Sequence, residues 1–395
     1  MQRVDMSERN LDFDSIIERK GTYSLKYDFT SERGKPEDVL PFWVADMDFR
    51  TPDFIINSIR KQLDQGVLGY TQPCRGWYDN IIQWVNKRHG LKVQKEDICF
   101  VPGIVRGIAF ALNCFTQPGD KVMVLPPVYH PFFLVTEHNN RQVVYNHLDI
   151  YDGQVHINFE RFEQDIKGCK LLIFCNPHNP GGRVWKVEEL QRVADICKRS
   201  GTLVVSDEIH ADLTLPRYKH NSFSSVSEAA RMNSITFMAP SKAFNMPGLC
   251  SSYSLIFNPE IRERFNIFME ASEYSMGNMF AYSACAAAYE QGEDWLNQML
   301  AYVQDNIDFT EQFLKDNIPA ISMLKPQASY LIFLDCRKLD LSQEELVNLF
   351  VEKAHLALND GTMFGKEGEG FMRLNVGCPR SVLEMALQQL KEAVG

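Results

Sequence analysis

The chain has 395 residues, 45% hydrophobic and 23% charged, with a formal net charge of -10 at pH 7. That apolar content is ample for a large core, and the length suits a large α/β unit with a smaller satellite. The acidic balance excludes a global basic field that would attract nucleic acid or anionic lipid.

Residues 1–50 read as an N-terminal arm. Met1 to Asn10 is polar and charged, with no apolar signal core, and no later stretch is long enough to span a bilayer, so a soluble cytoplasmic protein is expected. The ten cysteines form no Cys-x-x-Cys pair and read as reduced core thiols. A short helix is predicted over 11–20. The aromatic and acidic stretch 40–49 has no helical period and suits a segment wrapped over a pocket or a partner subunit. Thr51-Pro52-Asp53 starts a helix, with a cap residue and then proline in the first turn. A second amphipathic helix follows over 77–89.

Strands and helices then alternate. Strands are predicted over 98–101, 121–125, 142–146, 170–175, 202–206, 234–238 and 252–257, and helices over 105–115, 131–138, 187–199 and 259–271. Short apolar strands separated by helices predict a mostly parallel central sheet covered on both faces, with ligands at the carboxyl ends of its strands. Residues 279–317 read as helical throughout. The remainder, 320–395, reads as a smaller α/β unit completed by the arm. The expected division is an arm at 1–50, a large domain at 51–285 and a small C-terminal domain at 286–395.

Three strand ends carry unusual residues. Lys242, in Ala239-Pro240-Ser241-Lys242-Ala243-Phe244-Asn245, follows a buried strand among small residues, where a solvated cation is out of place. A lone lysine of this kind usually snorkels to the surface. With a depressed pKa it is instead the covalent anchor of a carbonyl cofactor. Asp207, in Ser206-Asp207-Glu208-Ile209-His210, is either a helix cap or the carboxylate that keeps a pyridinium nitrogen charged. Asn176, in Asn176-Pro177-His178-Asn179-Pro180-Gly181-Gly182, is held in extended and turn geometry and can present its amide to a ring oxygen. The three segments are expected to converge on one pyridoxal 5'-phosphate, with Ser241 as a donor to its phosphate.

Other positions are more ambiguous. Pro102-Gly103-Ile104-Val105-Arg106-Gly107 opens a helix whose N–H groups suit a phosphate, although a plain strand–helix turn looks similar. Tyr129 and Tyr70 can stack on a ring or merely pack. Arg373, amid apolar neighbours, needs an anion. A structural salt bridge is slightly favoured there over a substrate carboxylate. No metal-ligand spacing is present around His178.

The combination resembles the fold-type I pyridoxal-phosphate enzymes of the class I/II aminotransferase superfamily. More closely it is similar to the MalY/PatB group of carbon–sulfur lyases, which includes cystathionine β-lyases and cystalysin. Trp43-Val44-Ala45-Asp46-Met47-Asp48-Phe49, Gly66-Val67-Leu68-Gly69-Tyr70, Pro127-Val128-Tyr129-His130-Pro131-Phe132 and Met372-Arg373-Leu374-Asn375 carry the resemblance, together with the three strand-end motifs. It implies that Lys242 anchors the cofactor, Asp207 meets the pyridine nitrogen, Asn176 the ring oxygen, and Tyr129 the ring face. His210 stands where related enzymes carry a tyrosine. The backbone at Ile104 and Val105, with Ser241, would hold the phosphate. Tyr70 would reach the phosphate of the neighbouring subunit in a homodimer, and Arg373, with Ala45 nearby, would bind the substrate carboxylate. Cys250 replaces the arginine that many aminotransferases carry eight positions after the lysine. That and His210 favour α,β-elimination of cystathionine or another S-substituted cysteine over transamination, the alternative. Lys26-Tyr27-Asp28 in place of Lys-Trp-Asp and Ala243 in place of a common threonine are smaller departures. A regulatory binding protein is a third reading, but no recognition-helix module accompanies the acidic charge.

Overall fold

The structure, a computed structural model, describes residues 11–73 and 75–395. The reading of Met1 to Asn10 and the thiol of Cys74 lie outside them. All seven strands expected between residues 98 and 257 form, and they build one sheet. Its order is Ile98–Val101, Ser252–Leu255, Ser234–Met238, Leu203–Asp207, Cys169–Cys175, Lys121–Val124, Gln142–Tyr145. Only Ser252–Leu255 runs antiparallel to its neighbours. Alternation along Cys169–Cys175 shows why the sheet is buried on both sides. Leu171 and Ile173 pack into one apolar cluster, and Leu172 and Phe174 into another on the opposite face. The register Cys175↔Asp207↔Phe237 brings three strand ends to one edge.

A second, antiparallel sheet is ordered Ser322–Met323, Leu331–Asp335, Phe371–Asn375, Asn359–Asp360. The arm does join this region: Leu40–Pro41 pairs with Leu356–Ala357. Residues 11–20, however, form no helix. Asp12 accepts the amides of Asp14 and Ser15, which turns the chain locally. Arg19 is drawn inward to Asp46 (2.7 Å) and Asp48 (2.8 Å), while the fully buried Lys26 binds Asp48 at 2.6 Å. Thr51 does not cap the helix Asp53–Leu63; its hydroxyl donates to the Asn245 carbonyl.

The long helical stretch divides into Met279–Gln291 and Glu293–Asn317 at Gly292. A Cβ there would lie 2.3 Å from both the Ala288 carbonyl oxygen and the Phe244 ring, so a side chain does not fit without movement. An unanticipated hairpin, Asp149–Tyr151 with Gln154–His156, turns on Asp152-Gly153, both at positive φ. Among the described residues no helix is long and apolar enough to cross a membrane, and nine cysteines are free thiols.

Candidate active site

A cavity of about 380 Å³ opens at the carboxyl edge of the central sheet. Ala45, Ile104, Val105, Tyr129, Asp207, His210, Ser241 and Lys242 all line it, together with Asn179 and Cys250. Eight of the eleven predicted site residues are therefore brought together, from an arm, a helix start and three strand ends.

Lys242 lies in a tight turn closed by Phe244 N–H to Pro240 O and Met246 N–H to Ser241 O. Asn245 makes the turn possible by adopting a positive φ of 51°. Its side chain then fixes the turn to the arm, accepting from the Met47 amide and donating to the Met47 and Phe49 carbonyls. Lys242 Nζ donates to the Ala45 carbonyl at 2.7 Å. Burial brings its amine down to about 8; Asp46 opposes this and Arg373 reinforces it. Asp46 is itself committed to Arg19.

Asp207 is 4% exposed and accepts one hydrogen bond, from the Ile209 amide at 3.0 Å. Burial raises its pKa to about 7, against the pull of that amide. Neither Asp207 nor Lys242 has an ion-pair partner among the described residues. His210 is neutral: burial, then the charges of Lys242 and Arg373, hold it down at about 3, and its buried Nδ1 has no partner. Tyr129 donates its amide to Asn179 O, and burial raises its phenol.

The far end of the cavity is a helix start. Gly103, at φ 108°, donates to Val101 O and Ser252 Oγ, and the helix Ile104–Phe115 begins directly after it. Its first-turn amides have no intrahelical acceptors and stand beside Ser241, Ser251 and Ser252.

The other three residues lie outside the lining. Asn176 is fully buried; its Nδ2 donates to Asn221 O at 2.8 Å and reaches Glu208 Oε1 at 3.4 Å, so the amide hydrogens turn away from the cavity and Oδ1 is left unpartnered. Tyr70 is 99% exposed and adds nothing to its own chain's cavity. Arg373 is 4% exposed and donates to Asn179 Oδ1 (3.2 Å), Trp43 O (3.1 Å) and Asn359 Oδ1 (2.6 Å). All three are neutral. No carboxylate among the described residues pairs with it, so the favoured reading of a structural salt bridge fails. Burial lowers its pKa to about 10.

The sequence reading gave no site role to Tyr330 or Asn375, and placed Asn359 only at the start of a loop, 359–370, expected to set the pocket's width. Tyr330 donates to the same Ala45 carbonyl as Lys242, at 3.0 Å, and Asn375 donates to the carbonyls of Val44 and Asp46. With Arg373 on Trp43 O and Asn245 on Met47 O, every carbonyl from residue 43 to 47 is held by a side chain. Asn375 stood in a quoted motif, two positions from Arg373 on one strand face; nothing local marks Tyr330 or Asn359.

The aminotransferase class I and II family model matches residues 37–390. Cystathionine beta-lyase PatB of Bacillus subtilis (strain 168) is 42% identical over 386 residues, covering 97% of this chain and 100% of the relative. Among solved structures, a pyridoxal-phosphate-bound protein of Clostridium difficile 630, described as an aminotransferase, superposes with a TM-score of 0.95 at 38% identity, covering 98% of this chain and 100% of that one. Cystalysin from Treponema denticola, which contains pyridoxal 5'-phosphate, gives a TM-score of 0.93 at 36% identity over 97% and 98% of the two chains. The expected fold-type I architecture is thus present, and the chain belongs to the aminotransferase class I and II family.

Proposed function

We propose that the chain is a pyridoxal-phosphate-dependent carbon–sulfur β-lyase. It cleaves L-cystathionine or related S-substituted L-cysteines by α,β-elimination to a thiol, pyruvate and ammonia. One observation carries the reading. A buried lysine with a depressed pKa and a buried aspartate with a raised one face a single cavity, and neither has an ion-pair partner among the described residues.

The residues fit the cofactor. Asp207 supplies the missing counter-charge for a pyridinium N–H, and the helix start with Ser241 supplies donors for a phosphate. Tyr129 offers a ring face, His210 Nδ1 an unused polar atom, and Asn176 a buried unpartnered oxygen close to Asp207's strand. The amide of Asn176 would have to turn to donate to a ring oxygen. When bound, the cofactor supplies an electron sink conjugated to the substrate's Cα. Arg373 binds the substrate carboxylate, aided by Asn179 and Asn359, which hold its guanidinium in place. Lys242 removes the Cα proton, its depressed pKa keeping a useful fraction of free amine near neutrality. The neutral His210 adds no competing charge beside it.

Tyr70 is fully exposed on a segment with exposed Val67 and Leu68. In this reading it completes the phosphate site of a second copy, making the enzyme a homodimer with shared sites. The free thiols accord with a cytoplasmic location.

The test supplies cystathionine without any 2-oxo acid. Stoichiometric pyruvate and thiol over many turnovers is expected; turnover that depends on a 2-oxo acid would make the chain an aminotransferase. Arg373→Gln is expected to raise KM for cystathionine by about 10²-fold with a smaller effect on kcat, because a buried charge-assisted contact to the substrate is lost. An unchanged KM would remove Arg373 from the carboxylate site.

A further inference from the structure

We propose that Tyr330 is a positioning residue for Lys242. Its hydroxyl and the Ala45 carbonyl form the docking point that holds the lysine amine whenever it is not bonded to the cofactor. Ala45 O accepts from Lys242 Nζ at 2.7 Å and from Tyr330 Oη at 3.0 Å, so both lone pairs of one carbonyl are used. Tyr330 is 1% exposed, and burial keeps its phenol protonated, so the hydroxyl can only act as the donor toward that carbonyl. The carbonyl cannot swing away to seek another donor. Asn375 holds Val44 O and Asp46 O at 2.7 Å on either side of it.

The arrangement has two effects. Fixing the acceptor fixes where the free amine waits, which matters when that amine must meet a Cα–H bond in line. Sharing the acceptor weakens its hold on an ammonium, because the positive end of the Tyr330 O–H dipole already points at the oxygen. In the proton transfer, the substrate's C–H bond breaks and an N–H bond forms on Lys242. The electron pair stays with the substrate and its electron sink. The ammonium then releases that proton to the departing sulfur or to solvent. An over-stabilised ammonium would retain it.

The catalytic part rests on the lyase reading; the docking part does not. The variant is Tyr330→Phe, with Ile332→Val in the same strand as the packing control. In the cofactor-stripped full chain, amine-selective acylation of Lys242 by acetic anhydride is followed against pH by peptide mass spectrometry. The labelling midpoint is expected to rise by about half a unit or more in Tyr330→Phe, the scale of a lost shared hydrogen bond, and to stay at the wild-type value in Ile332→Val. In the reconstituted enzyme, kcat for cystathionine is expected to fall about tenfold or more with KM within about twofold. A wild-type labelling midpoint in Tyr330→Phe, or an equal rise in Ile332→Val, overturns the proposal. If wild-type enzyme releases no thiol and pyruvate, the lyase reading fails, and the labelling midpoints alone decide the docking role.

Discussion

Lys242→Ala is expected to lower kcat/KM for cystathionine by at least about 10⁴-fold, the upper range for loss of a positioned acid–base group. The loss is this large because in the proposed mechanism one amine has two tasks, anchoring the cofactor and carrying the Cα proton. Neither charged nor imidazole neighbour in the described site can take over: Arg373, whose charge acts on Lys242, stays protonated at working pH, and His210 is held at about 3. The protein should remain folded. Lys242 donates one hydrogen bond, to Ala45 O, and that carbonyl keeps its bond from Tyr330. The check is a steady-state assay beside an absorption spectrum, in which the band of the protein–cofactor Schiff base disappears. Turnover of cystathionine retained by this variant would sink the mechanism.

The second large effect is expected at Asp207, and it has opposite signs with and without cofactor. In the loaded enzyme, Asp207→Asn would remove the counter-charge proposed for a pyridinium nitrogen. We expect kcat to fall about 10³-fold, the scale set by removing one preorganised electrostatic partner. Without cofactor the same change stabilises. The pKa of Asp207 rises from 3.8 to about 7 on folding, so the folded chain holds a proton that the unfolded chain releases. Stability therefore declines as pH climbs from about 4 to about 7 and stays reduced above that. The amide does not titrate. The cofactor-free variant should gain on wild type across that window, by up to about 4 kcal/mol above pH 7, an upper bound from the size of the shift. Urea unfolding of both proteins between pH 4 and 8 measures the gap. A gap that stays constant with pH means Asp207 is not a buried acid of this kind.

The sequence was most legible where periodicity and position agree. Apolar runs such as Leu171–Phe174, short and followed by turn signals, read as buried strands, and unusual polar residues just past them pointed to one edge. Legibility was lost where distant residues override local preference. Residues 11–20 have a helical pattern, but Asp12 turns the chain and Arg19 is pulled to Asp46 and Asp48. Arg373 looked like half of a salt bridge because arginine in a strand usually is; its three neutral partners come from segments 14 to 330 positions away. Tyr330 reads as the first apolar residue of a strand, and only the path of the arm gives its hydroxyl a role. The hairpin at Asp152-Gly153 carried a recognisable turn signal that the sequence reading missed.

The clasped carbonyls of residues 43–47 also dictate when the site can exist during synthesis. Their donors lie at Asn245, Tyr330, Arg373 and Asn375, so the arm emerges from the ribosome 198 to 331 residues before the side chains that seat it. Contacts of such long sequence separation close late. The arm is the first segment made and among the last to be placed. A chain lacking its final strand already has Lys242, Asn245 and Tyr330, but not the donors that hold the carbonyls of Trp43, Val44 and Asp46.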